Sequence, residues 1–257
     1  GAMPDEEFRN RTVLVTGGSR GIGRAICVRL AETGARIAIN YAVNDDAARE
    51  TLKQVTAAGG SGAVFQADVS DLDQMKQMYA RVDDQLGPVD MLVSNAGVAR
   101  ADDKIDMSFD VWNEMMRVNL DGTFHAIWLA KDGMLARGFG RIVCISSVIG
   151  LARNPLAPDR LIAYGASKAA IVGLTRNCAN AFGPSIRVNC IAPGFIDTEM
   201  TENASEGSRR ILHEATPLGR TGRPEEIAEM AYFLLSDRSS FTTGQTMVAS
   251  GGLVTLP

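Results

Sequence analysis

The sequence is poor in histidine, cysteine and aromatic residues: its 257 positions hold 2 His, 4 Cys and 6% Phe, Trp and Tyr. His125 and His213 have no partner at ligand spacing, so no metal site is expected and both read as structural or exposed. Cys27, Cys144, Cys178 and Cys190 show neither the close pairing of a metal knuckle nor the density of a disulfide scaffold. They read as reduced core thiols of a cytoplasmic protein. No apolar run reaches the ~18 residues of a membrane span, and no charged-then-apolar segment opens the chain. Basic residues are in slight deficit, 26 Lys and Arg against 30 Asp and Glu, for a formal net charge of −4. That balance gives no electrostatic reason to bind nucleic acid or an anionic membrane. A small-molecule partner is the expectation that remains.

With 46% hydrophobic and 22% charged residues, the chain has the composition of an ordinary globular protein. Gly1-Ala2 ahead of Met3 reads as a tag-cleavage scar within a polar lead over residues 1–7, and residues 8–257 as one domain. Strand and helix patterns alternate. Strands are expected at Thr12–Val15, Arg36–Asn40, Ala63–Gln66, Met91–Val93, Arg141–Ile145, Arg187–Ile191 and Gln245–Val248. Helices are expected at Ile22–Glu32, Asp45–Ala57, Asp71–Leu86, Phe109–Arg137, Tyr164–Phe182 and Pro224–Leu235. Such alternation predicts an α/β fold with a doubly wound parallel sheet of Rossmann type. Residues 194–216 have weak periodicity and many polar side chains, and read as a mobile segment with some helix, a candidate lid.

Two motifs carry chemistry. Thr16-Gly17-Gly18-Ser19-Arg20-Gly21-Ile22-Gly23 lies between a strand and a helix, where glycines permit a tight turn and a pyrophosphate can approach helix-start N–H groups. At the end of the second strand, where an acidic side chain would accept from the 2′-hydroxyl of NAD, stand Asn40 and Tyr41. With no carboxylate to repel a 2′-phosphate and Arg20 able to attract it, NADP(H) is favoured over NAD(H). The second motif, Tyr164-Gly165-Ala166-Ser167-Lys168, sets a phenol and an ammonium on one helix face. A nearby ammonium stabilises phenolate and is expected to bring the phenol's pKa toward the working range, making Tyr164 an acid/base. Ser146-Ser147, just before that helix, offers a hydroxyl to hold a substrate oxygen.

The glycine spacing, Gly17 to Gly21 to Gly23, departs from the common G-x-G-x-x-G fingerprint and resembles the short-chain dehydrogenase/reductase family, in particular its 3-oxoacyl-(acyl-carrier-protein) reductase branch. The resemblance runs from about Phe8 to Gly252. It implies a catalytic set of Asn119, Ser147, Tyr164 and Lys168, with Ser146 the alternative serine. It further implies cofactor contacts from Gly17, Ser19, Arg20, Gly21, Ile22, Gly23, the Asp68-Val69 pair and the Asn95-Ala96-Gly97 turn. Tyr164 and Lys168 would also touch the cofactor, as would Pro193, Gly194, Ile196 and Thr198. Fatty acid biosynthesis and a homotetramer belong to the same implication, the apolar Met115, Met116, Phe124 and Trp128 being compatible with helix pairing.

Substrate is a separate question, because one fold serves many ketones. Pro193 to Met200 and Pro217 to Ile227 resemble the 3-oxoacyl reductases, which implies an acyl-thioester substrate and an acyl carrier protein as a further partner. Four features depart from that pattern. Ser94 stands where many members have Asn, the segment from Gly150 to Tyr164 is longer, Asn180 to Ser185 lacks basic residues although Arg137 is near, and Val248-Ala249-Ser250-Gly251-Gly252 replaces V-D-G-G. The alternatives are a dehydrogenase of another secondary alcohol and a non-catalytic NADP-binding sensor.

Overall fold

The computed structural model describes residues 7–152, 159–198 and 206–255. In chain order the elements are β1 Thr12–Val15, α1 Gly21–Ala31, β2 Arg36–Tyr41, α2 Asp45–Ala57, β3 Ser61–Gln66, α3 Leu72–Leu86 and β4 Val89–Ser94. There follow α4 Phe109–Met115, a π-helical turn Met116–Asp121, α5 Gly122–Arg137, β5 Gly140–Ile145, α6 Ile162–Phe182 and β6 Ile186–Pro193. The last elements are α7 Glu206–Ala215, α8 Pro224–Leu235 and β7 Thr246–Ala249.

The strands form one seven-stranded sheet in the order β3-β2-β1-β4-β5-β6-β7, every neighbouring pair parallel. All residues of β1, β4 and β6 are buried, because helices cover both sheet faces, and this explains why their apolar residues do not alternate with exposed polar ones; the polar Asp90, Arg187 and Asn189 within them are buried too. One core packs α1 and α8 against the sheet through Ile26, Leu30, Ile227 and Leu235. The other packs α3, α5 and α6 against it through Met75, Met78, Ile127 and Ile171. Strand order turns back between β1 and β4, so the crevice beyond their carboxyl ends is where such a sheet takes a ligand.

Local chemistry sets the helix limits. Asn44 and Asp71 accept first-turn N–H bonds of α2 and α3, and Gly138, in the left-handed region at φ 65°, ends α5. The expected single helix over Phe109–Arg137 is interrupted: Met116–Asp121 widens by one residue into a π turn. The widening lets Asn119 leave the ordinary helical repeat while Val111, Met115, Ala126 and Ile127 stay buried. Within the stretch 194–216, α7 is helical and Ile196 bridges to Gly222, while residues 199–205 lie outside the described residues. Arg153-Asn154-Pro155 and Pro158 of the long segment before Tyr164 lie outside them too.

Candidate active site

The glycine-rich loop is closed by contact. Gly17 has φ +62°, and a Cβ there would come 2.9 Å from the Ala96 Cα; at Gly23 a Cβ would fall 2.2 Å from the Gly17 carbonyl oxygen. Helix α1 therefore sits directly on the loop, a packing only glycine allows. Thr16 Oγ1 accepts from the N–H groups of Asn95 and Ala96, both at 3.0 Å. Asn95 Nδ2 donates back to the carbonyls of Thr16 and Gly17 at 3.1 and 3.0 Å. Helix α1 begins with no side-chain cap and no acidic residue in its first turn. Its amides are thus left for an anionic ligand, which fits a dinucleotide pyrophosphate.

Asn40 turns inward. Its Oδ1 accepts from Gly17 N–H at 3.2 Å and its Nδ2 donates to the carbonyls of Phe65 and Ala67 at 3.3 and 3.0 Å. Its amide braces the loop against β3. Tyr41 is buried, its hydroxyl donating to Asp45 at 2.5 Å, and Asp45 also pairs with Arg49. Arg24 binds the Ser19 carbonyl at 2.7 Å and so ties the loop to α1, while Arg20 is exposed at its edge. Asp68 is exposed, accepting from Ser70, and Val69 packs against Gly122, where a Cβ would lie 2.6 Å from its Cγ2. Gly194 N–H donates to the Ala249 carbonyl at 2.8 Å, in the turn that follows Pro193 at the end of β6. Ile196 is buried, and Thr198 reaches the loop, its Cγ2 3.4 Å from a Cβ built on Gly21.

Beyond β5 the two serines divide their work. Ser146 Oγ donates to the Lys168 carbonyl at 2.7 Å and is spent on holding α6. Ser147 Oγ accepts from Ile149 N–H at 3.2 Å, and its hydroxyl acts to lower the pKa of the Tyr164 phenol. Lys168 is buried; its Nζ donates to the Ile145 carbonyl at 3.0 Å and lies 5.6 Å from the Tyr164 ring centroid. Asn119 is fully buried, accepting from Val98 N–H at 2.8 Å and donating to Val98 O and Ser167 Oγ, both at 3.0 Å. A Cβ at Gly97 would be 3.2 Å from both Asn119 Oδ1 and Lys168 Nζ, so these two side chains converge on the Asn95-Ala96-Gly97 turn.

Burial dominates the electrostatics. It pushes the Tyr164 phenol above its ordinary value, partly opposed by the Ser147 hydroxyl. It pulls the Lys168 ammonium down to about 8. The expected lowering of the phenol by the ammonium is therefore not seen, because desolvation acts on both groups and the lysine faces a carbonyl. Cys144 and Cys190 lie within electrostatic reach of Lys168, but burial raises both thiols and keeps them neutral. His125 Nδ1 contacts the Val69 carbonyl at 2.9 Å, a structural role, and His213 is exposed. Among the described residues no group of three or more His, Cys, Asp or Glu is placed to hold a metal ion, and no helix is long and apolar enough to cross a membrane.

One site residue carries no motif in the sequence. Asp103, buried in the loop after β4, accepts from the N–H groups of Ala163 and Tyr164 at 2.9 and 2.8 Å. Its signal is only positional, a carboxylate some sixty residues before the helix it caps.

The family model described as enoyl-(acyl carrier protein) reductase matches residues 17–254. The chain belongs to the short-chain dehydrogenase/reductase family. As a member it is an oxidoreductase acting on CH–OH groups. It is 38% identical over 244 residues to a 3-oxoacyl-(acyl-carrier-protein) reductase of Staphylococcus aureus, covering 95% of this chain and 98% of that one. It is 42% identical over 250 residues to an acetoacetyl-CoA reductase of Rhizobium meliloti, covering 95% and 98%. Among solved structures, a 3-oxoacyl-(acyl-carrier protein) reductase with bound NAD from Brucella melitensis has a TM-score of 0.87 at 36% identity, covering 98% of this chain and 94% of that one. A gluconate 5-dehydrogenase from Burkholderia cenocepacia, in complex with NADP and tartrate, has a TM-score of 0.88 at 32% identity, covering 98% of both chains.

Proposed function

We propose that this enzyme reduces the ketone of a 3-oxoacyl thioester to a secondary alcohol with NADPH. The supporting observation is the meeting of Ser147, Tyr164, Lys168 and Asn119 beside the Asn95-Ala96-Gly97 turn, at the carboxyl edge of the sheet. Residues 17–23 would hold the pyrophosphate at the start of α1, and Lys168 would bind the nicotinamide ribose. When bound, the reduced nicotinamide supplies the hydride. Ser147 Oγ hydrogen-bonds the substrate carbonyl oxygen and Tyr164 gives that oxygen its proton. A phenol kept high by burial stays protonated until needed, and the Lys168 ammonium then stabilises the phenolate left behind. Asn119 holds the Val98 main chain and, through Ser167, the turn of α6 that carries Tyr164.

NADPH is favoured at the adenosine end by Arg20 and by the absence of an acidic side chain at Asn40 and Tyr41; the nearby Asp45 carboxylate is taken up by Tyr41 and Arg49. As for the carrier, Arg137 is engaged with Asp90 at 3.7 Å and the Val89 carbonyl at 2.8 Å, and Asn180 to Ser185 offers no base. That favours a CoA thioester over an acyl carrier protein as substrate carrier. A dehydrogenase of another secondary alcohol is the second reading, favoured by the longer segment between Gly150 and Tyr164. The intact catalytic set argues against a sensor. A cytoplasmic setting suits four buried free thiols. The test is NADPH consumption with acetoacetyl-CoA, acetoacetyl-carrier, cyclic ketones and sugars, repeated with NADH. Turnover of a sugar or cyclic ketone at least ~100-fold above both thioesters removes the thioester reading.

A further inference from the structure

The main chain at Tyr164 is gripped from both sides. On the carbonyl side, Ser167 Oγ donates to Tyr164 O at 2.7 Å and receives from Asn119 Nδ2. On the amide side, the Asp103 carboxylate takes the N–H groups of both Ala163 and Tyr164, one on each oxygen. Helix α6 has no cap of its own: its N-cap position is Leu161, left-handed at φ 59°, with no side-chain oxygen to offer. A carboxylate at a helix start is favoured by the helix dipole as well as by the two hydrogen bonds. Asp103 therefore supplies from another loop what Ser, Asp or Asn at position 161 would supply locally.

The backbone around Asp103 extends the grip. Leu161 N–H donates to the Asp103 carbonyl at 2.9 Å, Ile105 N–H donates to the Asp159 carbonyl at 3.1 Å, and Lys104 pairs antiparallel with Arg160. The long segment before Tyr164 is thus fastened, at its distal end, to the loop after β4. The near end of that loop is fixed at Val98 by Asn119. Residues 98–103 are a strut between the two helices that bear the site, anchored at one end by an amide and at the other by a carboxylate.

We propose that Asp103 is a positioning residue for the reaction: by holding the first turn of α6 it sets where the Tyr164 phenol stands relative to Ser147. This rests on the reading of Tyr164 as proton donor. A displacement of ~1 Å at a reacting group can cost on the order of 100-fold in rate, so loss of this cap is felt in turnover before it is felt in folding. Asp103→Asn keeps one acceptor and is expected to lower kcat ~10-fold; Asp103→Ala keeps none and is expected to lower it ~100-fold. In both, NADPH still binds one molecule per chain with KM for NADPH within ~2-fold, because the glycine loop is built from other residues. Asp102→Ala, which removes only an exposed pair with Arg100, leaves all of these values unchanged.

The experiment measures kcat, both KM values, NADPH stoichiometry by cofactor fluorescence, and the ionisation of Tyr164 by near-ultraviolet difference titration against Tyr164→Phe. A graded kcat loss with full stoichiometry supports the proposal. Unchanged kcat, or kcat and stoichiometry falling in parallel, overturns it, the second outcome marking a purely structural cap. If the parent enzyme turns over none of the ketones, the functional reading fails by itself. The titration then decides Asp103: displacement of the Tyr164 ionisation in Asp103→Ala but not Asp102→Ala supports positioning, and an unmoved ionisation overturns it.

Discussion

Lys168 carries the sharpest consequence of burial. Its ammonium falls from an ordinary 10.5 to about 8. Between those values the unfolded chain binds more protons than the folded one, so this group makes stability rise with pH across that window. Below about 8 the buried charge is carried at a cost on the order of 3 kcal/mol. Lys168→Met is therefore expected to raise the thermal midpoint of the cofactor-free protein at neutral pH, with the gain shrinking toward pH 10. Melts across that range check it, and a constant or growing gain contradicts it. In catalysis the same value limits the charged form that stabilises phenolate. Consequently kcat/KM for NADPH, which reports the free enzyme, is expected to fall above about 8. Tyr164→Phe keeps the ring and removes the proton, and is expected to lower kcat by ~1,000-fold with NADPH binding intact. Tyr164 and Lys168 were legible in the sequence because four-residue spacing on a helix is a geometric statement. The direction of the phenol's shift was not, since spacing says nothing about how completely water is removed. Ser146 and Ser147 are neighbours that the residues alone do not separate; the resemblance favours Ser147, and the bond from Ser146 Oγ to the Lys168 carbonyl is consistent with that choice.

Elements were readable wherever a period ran unbroken. All seven strands and the helices α1, α2, α3, α6 and α8 fall within about two residues of their expected limits. The π turn over Met116–Asp121 was hidden, because one extra residue in a long helix barely alters an apolar pattern. Asp103 was hidden for a different reason: its partners are sixty and sixty-one residues away, and capping motifs are recognisable only when they are local. The junction of β1 and α1 offers a test at this scale. Gly23→Ala places a methyl 2.2 Å from the Gly17 carbonyl oxygen, a main-chain atom that cannot turn aside, and 2.6 Å from the Asn95 side-chain amide. The loop must open, at a cost of about 1–3 kcal/mol, and the Kd for NADPH should rise at least ~10-fold. Denaturant melts and fluorescence titration measure the two effects; wild-type values in both would show that α1 does not rest on the loop as described.

The whole molecule exposes more apolar surface on one side than a lone chain needs. Phe109 is 87% exposed and Trp128 46%, with Trp112, Phe124 and Leu135 also exposed along α4 and α5. Trp128 stacks on Phe124 at 4.8 Å and carries Lys131 over its ring, so the patch is already ordered. A homotetramer that pairs these helices is the assembly we expect. Light scattering of the intact protein should give four times the chain mass, and Trp128→Glu should halve it or reduce it to one chain. A parent protein that is monomeric at micromolar concentration rules the assembly out.

An all-parallel sheet also makes the molecule two-faced along its strand axis. The proposed catalytic side chains gather at one rim, whereas at the opposite rim the Glu7 carboxylate accepts from the Tyr232 hydroxyl and the Asp237 N–H, both at 2.9 Å. A tether, surface linker or fused domain joined ahead of that glutamate would leave from the far side of the body. Such an attachment should keep the carboxyl rim free for turnover on a solid support.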